Sequence, residues 1–218
     1  MSRSVAARLP SVDPAALGPE LRLLGAPCLV VGGRRIALSA KDAALLCLIA
    51  LAGPIRADRV ATMLWPAVGA KQADTSLRQR LYRLRRDAGV PLLAGGTGLQ
   101  LQETVRTDLA QALERIDRDE HAAIEALLGD FDFDGLPELA EWLREQRRQW
   151  QEKCAAALAA AAARCENEGA VVRGLVYAQR LAEGDPLAEH AQRRLMRLHY
   201  LRGDRASAIA ALDRKSVV

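Results

Sequence analysis

The stretch Ala70–Ala88, A-K-Q-A-D-T-S-L-R-Q-R-L-Y-R-L-R-R-D-A, decides how the rest of the chain is read. At about 100° per residue, Ala73, Leu81 and Leu84 fall within about 40° of Leu77, which predicts one helix with a narrow buried stripe that stops at Gly89. The opposite face holds Lys71, Gln72, Thr75, Arg78, Gln79, Tyr82, Arg83 and Arg86 and has no acidic member. Asp74 sits nearer the buried side. Many surface helices are arginine-rich, so the face alone assigns nothing, and its neighbours must decide.

Upstream, Met1–Pro19 carries three prolines and many small residues and is expected to be a disordered tail. Glu20–Leu24 alternates as a strand does. Cys28–Val31 is a second β-prone run, Gly32-Gly33 signals a two-residue hairpin, and Arg34–Leu38 returns as a third strand. Ser39 is placed to cap an almost wholly apolar helix over Lys41–Ala52, which Gly53-Pro54 ends. Asp58 is expected to cap a short helix that Pro66 stops. Downstream of the stretch, Leu92–Leu101 contains a glycine-rich turn and reads as two short strands. Strands, three helices and a final hairpin form the winged-helix order. In such folds the last helix before the hairpin enters the major groove.

The charge distribution agrees. Up to Arg106 there are 15 basic and 7 acidic residues; from Thr107 onward there are 16 and 20. A basic front half suits a polyanion. On the outer face, arginine offers paired donors to guanine, glutamine suits adenine, and a phenol or hydroxyl suits phosphate. Lys71, Gln72, Thr75 and Arg78, in the first turns, are the candidate base readers, followed by Gln79 and Tyr82. Arg83, Arg85 and Arg86 are the candidate phosphate clamps. Thr97, at the hairpin tip, is a candidate backbone or minor-groove contact, although this wing carries no cation.

From Asp108 the chain reads as almost entirely helical, over Asp108–Leu128, Pro137–Glu168, Ala170–Ala182, Leu187–Leu201 and a last helix from Arg205. Gly169 and Gly203 lie 34 residues apart, and Leu175 with Ile209 and Arg180 with Arg214 repeat that offset. This is the tetratricopeptide period. The small residues Ala155–Ala163 suit an inner helix of such a stack, with a dimer interface as the functional alternative. The fold class expected is mainly α with a small β component. The expected modules are a winged helix over 20–106 and an all-α tetratricopeptide-like domain over 107–218.

Leu21–Leu24, Gly32–Leu38, V-A-T-M-L-W-P at Val60–Pro66 and S-L-R-Q-R-L-Y-R-L-R-R at Ser76–Arg86 resemble the DNA-binding half of the Streptomyces antibiotic regulatory protein family, an OmpR-like winged helix. P-E-L-A-E-W-L-R-E-Q-R-R, within Gly129–Trp150, resembles the start of the bacterial transcriptional activator domain that follows it in those proteins. The resemblance implies a transcription activator that binds promoter repeats in double-stranded DNA, often as a homodimer, and contacts RNA polymerase. It points to Arg78, Gln79 and Arg83 as DNA contacts. In the family the helical domain continues further. The last six residues here, D-R-K-S-V-V, match one frame of a sequencing adapter, so the chain is expected to be cut short.

Other signals are weaker. Asp130–Glu141 satisfies the calcium-loop pattern D-x-D-x-D-G-x5-E. However, Pro137 takes a position that needs an N–H in paired loops, and no second loop exists. The family resemblance accounts for the segment with Phe131 and Phe133 packed inward. His190 and His199 are nine residues apart, on opposite faces of one helix, and His121 is remote from both, so no metal pair forms. Cys28, Cys47, Cys154 and Cys165 form no CxxC motif and fit a reduced cytoplasm. Gly95–Gly98 lacks the phosphate-loop spacing. No secretory signal, membrane span, cofactor fingerprint or catalytic motif is found. The expectation is a cytoplasmic bacterial regulator without metal or cofactor and not an enzyme. The rival reading is a protein-interaction scaffold, in which the helical half binds a partner and the winged helix is a docking module.

Overall fold

A computed structural model of the protein describes residues 18–96, 98–118 and 125–213. Thr97, His121, residues 1–17 of the expected tail and residues 214–218 lie outside the described residues. The chain forms two compact units. One runs to Asp108 and returns with Leu128–Leu139; the other takes Leu109–Leu127 and the chain from Ala140 onward.

The first unit is built on a four-stranded sheet. Strands β1 (Glu20–Arg22), β2 (Cys28–Val31), β3 (Arg34–Ala37) and β4 (Arg106–Thr107) lie in the order β3-β2-β1-β4. The Gly32-Gly33 turn has φ of 55° and 78°, the doubly positive pair that a two-residue hairpin needs. It sets Val31 opposite Arg34. Strand β4 was not anticipated: two residues carry no alternation, and their parallel pairing with β1 is made only by tertiary contact. Gly18 and Pro19, expected in the tail, belong to this edge. The Arg106 N–H donates to the Pro19 carbonyl at 2.9 Å.

Helix α1 (Ala40–Ala52) is capped by Ser39, whose side chain accepts from the Asp42 N–H. Seven consecutive residues, Ala43–Ile49, are buried, so every face of this helix is packed and it forms the centre of the core. Helix α2 (Ala57–Leu64) begins two residues earlier than a cap at Asp58 would start it. Arg56 takes the N-cap position with no side-chain capping bond. Asp58 lies in the first turn, where its carboxylate accepts from the Arg59 N–H and pairs with Arg56. Helix α3 (Ala70–Ala88) ends at Gly89 in the left-handed conformation. The expected final hairpin is reduced to two isolated bridges, Leu93–Leu101 and Ile55–Leu99. Glycines in this stretch supply no side chains to pack across a ladder.

Helix α4 covers Asp108–Asp117 and does not continue to Leu128 as expected. By Leu128 the backbone has a φ of 57°, and its N–H donates to the Leu23 carbonyl at 2.7 Å. That tertiary bond takes Leu128 out of any helical ladder. At the start of α4, Asp108 accepts the N–H groups of Leu23 and Leu24 at 2.9 and 3.0 Å. Burial pushes its carboxyl above the ordinary value, with those two hydrogen bonds opposing the shift. A carboxyl raised in the folded state favours folding most on the acid side, and that contribution is lost as the pH rises through the raised value. Asp108→Ala is expected to cost about 2 kcal/mol by leaving two donors unmatched. In urea unfolding, the deficit should widen as the pH is lowered.

In the second unit, α5 (from Ala140 of its span Pro137–Asn167), α6 (Val171–Gly184), α7 (Glu189–Leu201) and α8 (Arg205–Asp213) follow one another with short turns. Their core includes Leu158, Cys165, Tyr177, Leu181, Leu195 and Leu198, with Ile116 of α4. Gly169 (φ 70°) and Gly203 (φ 82°) occupy matching places, ahead of α6 and ahead of α8, as a 34-residue helical repeat requires. Gly174 permits close helix approach: a Cβ there would stand 3.2 Å from the Cys165 Cβ and 3.3 Å from Leu198 Cδ2. Asp204 caps α8 by accepting the Ser207 N–H. Ser207 and Arg202 hold its carboxyl down at about 2, so this cap is lost only as the pH falls from about 4 toward 2. The described chain is thus mainly α with a small sheet, a winged helix followed by a tetratricopeptide-like helical domain.

Candidate nucleic-acid interface

Helix α3 buries Ala73, Leu77 and Ala88. Leu81 and Leu84, expected in the same stripe, are only half-buried. Lys71, Gln72, Thr75, Arg78, Gln79, Tyr82, Arg83 and Arg86 are all exposed, with Tyr82 at 68%. A 19-residue helix thus presents one continuous outer face bearing four cations, two amides, a phenol and a hydroxyl.

Internal bonds sort these groups. Arg78 pairs with Asp74 one turn earlier at 2.5 Å. Arg86 pairs with Asp87 at 2.8 Å. The Thr75 hydroxyl donates to the Lys71 carbonyl at 2.9 Å, so it faces its own backbone. Lys71, Gln72, Gln79, Tyr82 and Arg83 make no side-chain hydrogen bond or ion pair among the described residues. Each partner of an engaged arginine is exposed, so these pairs are weak and can be exchanged for a phosphate or a base edge.

Arg80, on the same helix, has a different task. Its guanidinium is a quarter exposed and reaches Asp42 at 2.7 Å and the Ser39 hydroxyl at 3.2 Å. It ties α3 to the capped start of α1. Sequence alone does not separate Arg80 from Arg78 and Arg83; the α1 contacts do. Arg34 was also missed. It lies on β3 and donates to the Asp87 carbonyl at 2.6 Å, which brings an exposed cation from the hairpin to the C-terminal end of α3. Fifty-three residues separate the two, and no local pattern signals such a contact.

The start of α3 has its own electrostatic character. Its N-cap is Gly69, with no side-chain capping bond, and its first turn has no acidic residue. The positive end of the helix dipole is therefore not neutralised by the chain itself, an arrangement that favours an incoming anion beside Lys71 and Gln72.

The remaining candidates carry less. In the 130–134 segment, Phe133 is buried and Phe131 half-buried, while Asp132 accepts the Asp134 N–H. Among the described residues, no group of three or more His, Cys, Asp or Glu side chains is arranged to hold a metal ion. All four cysteines are buried and unbridged. Burial pushes the Cys154 thiol up to about 11, so it remains protonated and unreactive at neutral pH. No described helix is long and apolar enough to cross a membrane.

Neither a known protein family nor a curated protein matches the chain. Among solved structures, it is similar to Mycobacterium tuberculosis EmbR in complex with a low-affinity phosphopeptide. The identity is 20% and the TM-score 0.55, over 90% of this chain and 58% of that one. At that identity the likeness is one of fold: this chain has an EmbR-like fold and spans a little under three-fifths of EmbR's length.

Proposed function

We propose that the protein is a sequence-specific DNA-binding transcriptional regulator that acts as an activator. In this reading α3 enters the major groove of promoter DNA. Lys71, Gln72, Thr75 and Arg78, followed by Gln79 and Tyr82, meet base edges, and Arg83, Arg85 and Arg86 meet phosphates. The single observation that carries the reading is the outer face of α3: eight polar side chains exposed together at the uncapped, positive end of a helix and along its length. The helical unit would supply dimerisation or RNA polymerase contact. Its exposed Val172, Leu187, Tyr200, Leu201 and Ile209 offer apolar surface for such a partner. The same side chains favour the second reading, a scaffold whose helical unit binds a protein.

Fluorescence anisotropy against the chain's own upstream DNA and a scrambled duplex, across a salt series, separates the two. A DNA regulator prefers the native duplex, and log K falls with log salt at about 0.9 per phosphate neutralised. Salt-independent or absent binding, persisting when the chain is fused to a dimerising zipper, would sink the DNA reading and leave the scaffold.

A further inference from the structure

A cavity of about 270 Å³ lies in the first unit, between α1, α3 and the chain that follows α3. Leu46 and Leu92, 1% and 4% exposed, form its floor. The half-buried Leu81, Leu84 and Leu93 form its walls. Tyr82 and Arg85, both exposed, stand at the rim. The cavity explains why Leu81 and Leu84 depart from the buried stripe of Leu77: their inner edges face an unfilled space. Its volume is just below the roughly 300 Å³ at which ligand pockets begin, so it suits a short alkyl chain or a single ring.

We propose that this cavity binds a small amphipathic carboxylate. Its hydrocarbon part lies on the leucines, where it is removed from water. Its carboxylate meets the Arg85 guanidinium, which makes no ion pair among the described residues. The chemistry is selective. A neutral apolar ligand leaves the rim cation unused, an amine is repelled by it, and a nucleotide is too large and too polar for leucine walls.

Tyr82 belongs to the outer face of α3 and the exposed Arg85, a candidate phosphate clamp, stands at its flank, so occupancy would reach the proposed DNA surface. A carboxylate at Arg85 removes one cation from it and should lower the salt slope of DNA binding by about 0.9. That consequence rests on the DNA reading; the binding site itself does not.

The test is a methyl-resolved NMR titration of the full chain with octanoate, n-octylamine and 1-octanol as probes. Octanoate should give saturable shifts at the methyls of Leu46, Leu81, Leu84, Leu92 and Leu93, and bind at least about tenfold more tightly than octylamine. Arg85→Gln, at an exposed position, should weaken octanoate about threefold and leave 1-octanol unchanged. Leu84→Trp, which fills the space, should abolish the shifts. Shifts that are absent or spread over both units would overturn the proposal. So would equal binding of octylamine, or an unaltered octanoate affinity in Arg85→Gln. If the titration succeeds while octanoate leaves DNA binding unchanged, the site stands and the link to DNA falls.

Discussion

Gly129→Ala is expected to cost the first unit more than about 3 kcal/mol, whereas Gly135→Ala, six residues on, should change stability by less than about 0.5 kcal/mol. Gly129 has a φ of 47°, which disfavours any side chain, and a Cβ there would stand 2.3 Å from the Gly25 carbonyl oxygen. The Cβ position is fixed by the backbone and the oxygen is a backbone atom, so no rotamer change relieves the overlap. The 128–139 segment must shift, and its anchors go with it: Leu128 and Leu139 are each 1% exposed and Phe133 is 6% exposed. Fully burying a side chain of that size contributes about 1.5–3 kcal/mol, so partial loss of two or three anchors reaches the expected deficit. The Arg59–Glu138 ion pair, which ties α2 to the start of α5, would be strained by the same shift. Gly135 meets nothing within 4 Å, so it serves as the internal control. Urea unfolding of the full chain decides: matching midpoints for the two variants would show that the segment is not packed as described.

Arg78→Ala combined with Arg83→Ala should weaken binding to the native duplex by about 100-fold or more, relax the preference over the scrambled duplex through Arg78, and reduce the salt slope by about 0.9 through the phosphate-clamping Arg83. Both side chains are exposed on α3, so far-UV circular dichroism and the unfolding midpoint should scarcely change. Arg80→Ala supplies the contrast. It removes the same charge from the same helix, but this guanidinium is engaged by Asp42 and Ser39. It should lower stability by about 1 kcal/mol and leave the salt slope of DNA binding nearly unchanged. If Arg80→Ala and a single Arg83→Ala variant weaken DNA binding equally, net charge and not the outer face of α3 governs the interaction, and the recognition-helix reading fails.

Elements whose signals are local can be read from the amino-acid letters alone. The glycine pair at 32–33 dictates a hairpin because only glycine readily takes positive φ at both positions. Ser39 and Gly89 bound their helices through one cap hydrogen bond and one left-handed residue. The 34-residue spacing of Gly169 and Gly203 marks a repeat because each ends one turn between stacked helices. The exposure of the outer face of α3 follows from 3.6 residues per turn. The remaining features depend on partners that lie far apart in the chain and meet only in the folded protein. Strand β4 exists because β1 pairs with it, 86 residues away in register. Leu128 leaves the helical path because the Leu23 carbonyl accepts its N–H. Leu81 and Leu84 stay half-open because the chain after α3 does not seal them. Arg80 turns inward, while Arg78 stays in solvent, because Asp42 stands within reach of one and not the other. Local dihedral preference and periodicity act within a few residues and can be read from letters. Hydrogen bonds, ion pairs and cavities between distant segments exist only once packing has brought those segments together.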